Sequence, residues 1–576
     1  MGAGAPPPPP PPPVAPRRPH PITLHGERLE DDYYWLRDKS DPAVLAYLAA
    51  ENAHAEALLA PVRGLEESLY QEMLGRIKQT DLSVPYREGA AWYYSRTEEG
   101  KQYPIHCRKR GSLEAPEEIL LDLNLLAAGH SFMALGVLEV SDDGRLMAYS
   151  TDHTGFREFT LLVRDLDTGA TVLGPLDKCG SVAWAADNRT LLFTVEDDAK
   201  RFHRVWRTAV TGPERDAPVL VYEEPDQRFR VAVERTRSRR HLLIASDSHT
   251  TSELRVLPAD RPESPWRLLV PRVAEREVEA DHLGDGWLLR LNDTGPNFRV
   301  VRAAEDDPAA AWEELLPHRD DVMIEGIDAF AGHWVAWERA AGLVGIRVTH
   351  RKSGAARHVT FPEPVYEAYP GPNAEWDTGA LRYGYESPVT PGSVYDYDLA
   401  TGESTLLKRR EVLGGFDPSR YGCARLSVPA PDGAAIPVSL VFRHEPAPPE
   451  PVPPEPAPML LTGYGAYGIP YPVGFSSNRL SLLDRGVVLA FAHVRGGGEL
   501  GKRWHDAGRM AFKMHSFTDF IAVAEALIEE RRTAPALLAI EGGSAGGLLM
   551  GAVTNFRPDL FAAVVAQVPF VDVINT

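Results

Sequence analysis

Leu537-Leu538-Ala539-Ile540-Glu541-Gly542-Gly543-Ser544-Ala545-Gly546-Gly547 joins an apolar run to a small-residue stretch through a glycine-flanked serine. The run Leu537 to Ile540 reads as a buried strand, and the small residues after Ser544 open a helix. Gly542 to Gly546 fits G-x-S-x-G, which in a strand–turn–helix setting is the nucleophile elbow of an α/β-hydrolase domain. Glycine lets backbone close around a strained turn that lifts the Ser544 hydroxyl out of the sheet. In this fold the catalytic order is Ser, then Asp or Glu, then His. The sequence reaches Thr576 only 32 residues later (576 − 544), and no histidine follows Ser544. The segment carries the nucleophile of a serine hydrolase without the base that this order demands.

Working back from the elbow, a helix is predicted over about Phe517 to Arg531, with Phe520, Ile521, Ala524, Leu527 and Ile528 on one stripe. Met459-Leu460-Leu461 and Val487 to Ala492 are unbroken apolar runs, as strands buried on both faces require. Ile436 to Phe442 reads as a strand, Glu445 to Pro458 as a proline-rich loop, and Ala562 to Gln567 as another central strand. Strands alternating with helices predict a doubly wound, mostly parallel sheet over 416–576, with its C-terminal part missing.

Between 79 and 415 the texture is different. Apolar strands followed by polar turns and alternating partner strands recur at roughly fifty-residue intervals. The first strands centre near Trp92, Met147, Leu192, Leu243, Leu288, Val335 and Arg382. Seven such units predict an inserted seven-bladed β-propeller with four strands per blade. A double β-sandwich is the alternative, and the regular spacing favours the propeller. Residues 15–78 predict two amphipathic helices that pack on the hydrolase domain. One starts at Ser40-Asp41-Pro42, and the other runs from about Val62 to Lys78. Residues 1–14, with eight consecutive prolines from Pro6 to Pro13, predict a disordered polyproline tail rather than a secretory signal.

Bulk properties exclude several classes. The 576 residues are 44% hydrophobic and 25% charged, which suits a soluble globular protein of two or more domains. A net charge of −20 argues against nucleic acid and is compatible with cationic substrates. No run approaches the ~18 apolar residues of a membrane span. Cys107, Cys179 and Cys423 are too few for a disulfide framework and suit a reducing compartment. No Cys/His cluster has zinc-ligand spacing, so no metal or organic cofactor is implied.

Further segments carry a family resemblance. They are Asp32 to Arg37, Gly463-Tyr464-Gly465-Ala466-Tyr467-Gly468, Asn478 to Gly486, His493-Val494-Arg495-Gly496-Gly497-Gly498-Glu499-Leu500-Gly501, Gly542 to Gly547, and Gln567 to Val573. Together they resemble the prolyl oligopeptidase family of serine peptidases, nearest its oligopeptidase B branch, from about Pro16 to the last residue. The resemblance implies a cytoplasmic oligopeptidase that cuts short peptides after Arg or Lys, with the propeller restricting folded proteins. It implies Ser544 as nucleophile, the Ala545 N–H and the Tyr464 hydroxyl as oxyanion donors, and Tyr467 in the S1 pocket. Arg495, in the loop after a strand, is expected to position structure or substrate. His493 is expected to be structural.

The sequence also departs from the family. The family's catalytic Asp and His fall beyond Thr576, as do the acids that hold a basic P1 side chain. Asp559 and Asp572 do not suit the triad, and His505 and His515 precede the elbow. Residues 1–576 are therefore expected to be an inactive, C-terminally truncated form with an exposed sheet edge prone to aggregation. Ile469 to Gly474 lacks the two acids of the family's P2 site, which weakens the case for paired basic residues. Two other readings stay open: a peptide-binding pseudo-hydrolase scaffold, and an esterase or acyl-peptide hydrolase on the same fold.

Overall fold

Asp41 precedes Pro42, and its carboxylate accepts the Ala43 N–H at 2.8 Å, so a helix begins where the Ser-Asp-Pro signal predicts it, Pro42–Leu59. A second helix spans Arg63–Gly75, somewhat shorter than its periodicity suggests. Sequence reading missed a hairpin ahead of them, His20–Leu24 paired with Glu27–Asp31. Its strands are almost wholly exposed and carry no apolar alternation. The signal lies in the turn, where His25 and Gly26 both take positive φ, as a two-residue hairpin turn requires. The computed structural model describes residues 11–211, 217–308, 310–444 and 455–574. Residues 1–10 of the proline-rich tail and 445–454 of the proline-rich loop lie outside the described residues. The chain divides into two units, residues 1–77 and 78–576.

Within the second unit, seven four-stranded antiparallel sheets follow one another from Tyr86 to Arg409. Each is a meander, and their strands run from Tyr86–Glu88 in the first blade to Ser404–Arg409 in the seventh. The ring closes where Arg382 Nη1 donates to the Pro85 carbonyl at 2.8 Å and Lys408 meets Asp81. Closure leaves only short strand edges exposed. The apolar strands near Trp92, Met147 and their counterparts prove to be second, not first, in each blade. An inner strand precedes each one, in several blades shorter, such as Tyr86–Glu88 before Ala91–Arg96. Apolar clusters fill the seams between blades; Leu243, Val256, Trp287, Leu289 and Val301 form one of them.

The α/β portion carries one six-stranded sheet. Its spatial order is Tyr421–Pro429, Ala435–Arg443, Val488–Ala492, Met459–Gly463, Leu538–Gly543 and Ala563–Gln567. The last four strands pair in parallel, and the first two run antiparallel to their neighbours. Helix Met514–Glu529 buries Phe520, Ala524 and Leu527 against the sheet, close to the predicted stripe. One expectation needs correction: Ala563–Gln567 is an edge strand, not a central one. Among the described residues it pairs with Leu538–Gly543 alone, and all five of its residues are exposed.

Propeller and sheet meet through the loop after Gly498. Asn297 Oδ1 accepts the Lys502 N–H at 3.1 Å, and Arg503 pairs with Asp320 at 3.0 Å. Glu367 accepts the Val473 N–H at 3.2 Å. Asn297, Asp320 and Glu367 all lie at one face of the propeller, beside the beginnings of first strands or between second and third strands.

Candidate active site

Strand Leu538–Gly543 ends at Ser544, and helix Ala545–Phe556 begins immediately after it. Ser544 takes φ 53°, in the left-handed region that a non-glycine residue rarely adopts. Such a conformation costs about 1–3 kcal/mol and persists only where its surroundings enforce it. Here the Ser544 N–H donates to the Gln567 carbonyl at 2.9 Å, and the Ser544 carbonyl accepts from Leu548 and Phe570 at 3.1 Å each. The side chain is exposed, and among the described residues its hydroxyl has no hydrogen-bond partner. As the first helical residue, Ala545 has an N–H with no acceptor inside the helix, at its positive end.

Close packing explains the flanking glycines. A Cβ on Gly546 would stand 2.7 Å from the Gly463 carbonyl oxygen and 3.5 Å from the Tyr464 ring. Tyr464 therefore lies against the elbow, one residue beyond the end of strand Met459–Gly463. Tyr467, at φ 61° and 65% exposed, has its ring 6.3 Å from that of Tyr464. The structure thus brings Ser544, Ala545, Tyr464 and Tyr467 to one end of the sheet.

Arg495 lies behind them. Its guanidinium is buried and held by two carboxylates: Nε donates to Asp519 at 2.8 Å, Nη2 donates to both carboxylates, and Nη1 donates to Asp432. Its hydrogen bonds to Asp519 first, then to Asp432, hold its pKa above the ordinary arginine value. The backbone beside it supports the Tyr464 turn. Gly468 N–H donates to the Gly496 carbonyl at 3.0 Å, and a Cβ on Gly496 would meet the Gly465 carbonyl at 2.2 Å. Ser516 Oγ donates to the Arg495 carbonyl at 2.6 Å, and Lys513 Nζ donates to Gly465 O. Sequence reading missed Asp432, Asp519, Lys513 and Ser516. The available signal was Asp519, an acid within the apolar stripe of its helix.

His493 binds Ser439 Oγ through Nε2 at 2.8 Å and faces Glu499 through Nδ1 at 3.2 Å. The three residues mimic a hydrolytic triad, but Ser439 is buried within strand Ala435–Arg443 and has no access for a substrate. His505 and His515 bond the carbonyls of Gly496 and Ala507. A separate cavity of about 580 Å³ in the propeller is lined by both signs of charge: Arg237 pairs there with Asp281 and Asp328, and Arg239 with Glu88.

Residues 13–410 match the family described as prolyl oligopeptidase, N-terminal beta-propeller domain, and residues 473–576 match the prolyl oligopeptidase family. The chain belongs to the prolyl oligopeptidase family. Members of this family are serine peptidases, hydrolases that act on peptides. The chain is 40% identical to dipeptidyl aminopeptidase BI of Pseudoxanthomonas mexicana, over 97% of this chain and 79% of that protein. It is 33% identical to protease 2 of Moraxella lacunata, over 98% and 81%. Among solved structures, oligopeptidase B from Leishmania major superposes with a TM-score of 0.91 at 32% identity, covering 98% of this chain and 82% of that one. Oligopeptidase B from Trypanosoma brucei with covalently bound antipain gives 0.90 at 34% identity, covering 98% and 83%. As a prolyl oligopeptidase family member, the chain pairs a seven-bladed propeller with a hydrolase domain. Among its described residues no helix is long and apolar enough to cross a membrane.

Proposed function

We propose that Ser544 is the nucleophile of an oligopeptidase that cleaves short peptides after Arg or Lys through an acyl-enzyme. The observation that carries this reading is the left-handed Ser544 between strand and helix, with the first helical N–H beside it and the Tyr464 ring against the turn. Attack by the Ser544 oxygen on a peptide carbonyl builds negative charge on the carbonyl oxygen. The Ala545 N–H and the Tyr464 hydroxyl donate to that oxygen, and one such donor is worth about 2.7–4 kcal/mol. Tyr467 lines the pocket for the side chain before the scissile bond. Arg495 acts as a positioning residue, because its guanidinium is already held by Asp519 and Asp432. The net charge of −20 supports basic peptides as substrates. The three free cysteines support a reducing, cytoplasmic setting.

The general base that takes the nucleophile's proton in this fold is a histidine that follows the nucleophile in chain order. Loss of such a histidine costs about 10⁶ in kcat.

A second reading has its own support. The 40%-identical relative is a dipeptidyl aminopeptidase, and the segment Ile469 to Gly474 holds no acid. That reading is release of N-terminal dipeptides. Assaying the isolated enzyme on an N-blocked arginyl substrate and on a dipeptidyl substrate with a free amine separates the two. Cleavage of the blocked substrate supports the endopeptidase reading, and cleavage of the free-amine substrate alone overturns it.

A further inference from the structure

His241, His282 and Glu305 come from separate segments of the propeller, and each offers a ligand atom within 4.8 Å of the others. Among the described residues they are the one group of this kind. His241 opens the second strand of the fourth blade, His241–Asp247, and His282 closes the first strand of the fifth, Val278–His282. Glu305 follows the third strand of the fifth blade, Arg299–Ala303. All three therefore lie at the propeller face opposite the one that meets the α/β portion.

We propose that His241, His282 and Glu305 form a site for a divalent transition-metal ion such as Zn²⁺, which ties the fourth blade to the fifth. Both imidazoles point Nε2 at the same oxygen, Glu305 Oε1, at 3.8 Å from His241 and 3.4 Å from His282. Ligands at about 2.0–2.1 Å around a tetrahedral ion stand about 3.3 Å apart, so both separations need only a small contraction. These distances are too long for good N–H···O bonds and suit three donors around a shared ion.

An independent observation points the same way. His282 is 0% exposed, and its Nε2 has no hydrogen-bond partner, although a buried polar nitrogen is normally satisfied. Its other nitrogen, Nδ1, is held by Ser238 Oγ at 2.8 Å, which fixes the ring with Nε2 facing Glu305. A metal-ligating histidine is usually oriented through its second nitrogen in this way. Trp287 packs on both rings, with centroids 5.0 Å from His241 and 5.1 Å from His282, and so limits their rotation. The neighbouring cations turn elsewhere: Arg267 donates to the carbonyls of Glu305 and Asp306, and Arg240 to that of Gly284. The Glu305 side chain is 34% exposed, so an ion can enter from that side and a water can take the fourth position.

Two imidazoles and one carboxylate suit Zn²⁺ or Co²⁺, whereas Mg²⁺ and Ca²⁺ prefer oxygen alone. The ion would cross-link two blades that otherwise meet through apolar contacts, hydrogen bonds and the Arg237–Asp281 ion pair.

The test uses untagged full chain, stripped with a chelator and titrated with Zn²⁺ against a chromophoric competitor, with Co²⁺ absorption as a second readout. One equivalent should bind, with tetrahedral Co²⁺ bands and a higher thermal midpoint. Glu305→Gln, near the surface, should keep the metal-free midpoint and lose at least about 10-fold in affinity. His241→Gln should do the same. The proposal is overturned if the stripped chain binds no Zn²⁺, or if both variants bind it as tightly as the parent.

Discussion

Replacing Arg495 by methionine should loosen the Tyr464 turn from behind. Asp519 is fully buried, and its carboxylate is paired with the Arg495 side chain and the Arg495 N–H. Removing the guanidinium leaves that carboxylate unpaired inside the domain, a change that costs about 3–5 kcal/mol. Asp432 is half exposed and loses less, because water can take over. Helix Met514–Glu529 carries Asp519 and should register the cost directly. Amide exchange in peptides from that helix should quicken about 100- to several-thousand-fold, the factor that 3–5 kcal/mol represents when exchange follows opening. Propeller peptides should be unaffected. The double variant Arg495→Met, Asp519→Leu removes both buried charges and should restore most of the protection, since apolar replacement of a buried pair is often neutral. The reasoning fails if Arg495→Met changes exchange less than about fivefold, or if the double variant is no better protected than the single one.

Tyr464→Phe should lower kcat by about 10²–10³ with KM little changed, and steady-state kinetics on a peptide substrate reads both values. Burial pushes the Lys513 ammonium down to about 8, below its ordinary value of about 10.4. The folded chain therefore sheds that proton first, and stability should rise from pH 8 toward pH 10.4; urea unfolding of Lys513→Met across that window should lack this component of the rise.

The elbow was legible because its chemistry is local: a strand, a glycine-flanked serine and a helix in sequence. The propeller was legible because a repeated supersecondary unit repeats its pattern. Its inner strands were not, since Tyr86–Glu88 is too short to show alternation. The strand Ala563–Gln567 was misplaced at the centre because an apolar run reports its own hydrophobicity and says nothing of what pairs beside it. Arg495 was noticed, but its partners were not. Asp432 and Asp519 reach it only once the loop, the helix and the sheet have packed. The cluster of His241, His282 and Glu305 follows the same logic, with ligands on two blades and no motif spacing to announce them.

The most direct test of the account is covalent labelling of the enzyme isolated from its source with a serine-reactive fluorophosphonate, followed by peptide mapping. The account predicts one adduct on Ser544, in step with loss of peptide hydrolysis, and no hydrolysis by Ser544→Ala. Labelling of another serine, or hydrolysis that survives in Ser544→Ala, would contradict it.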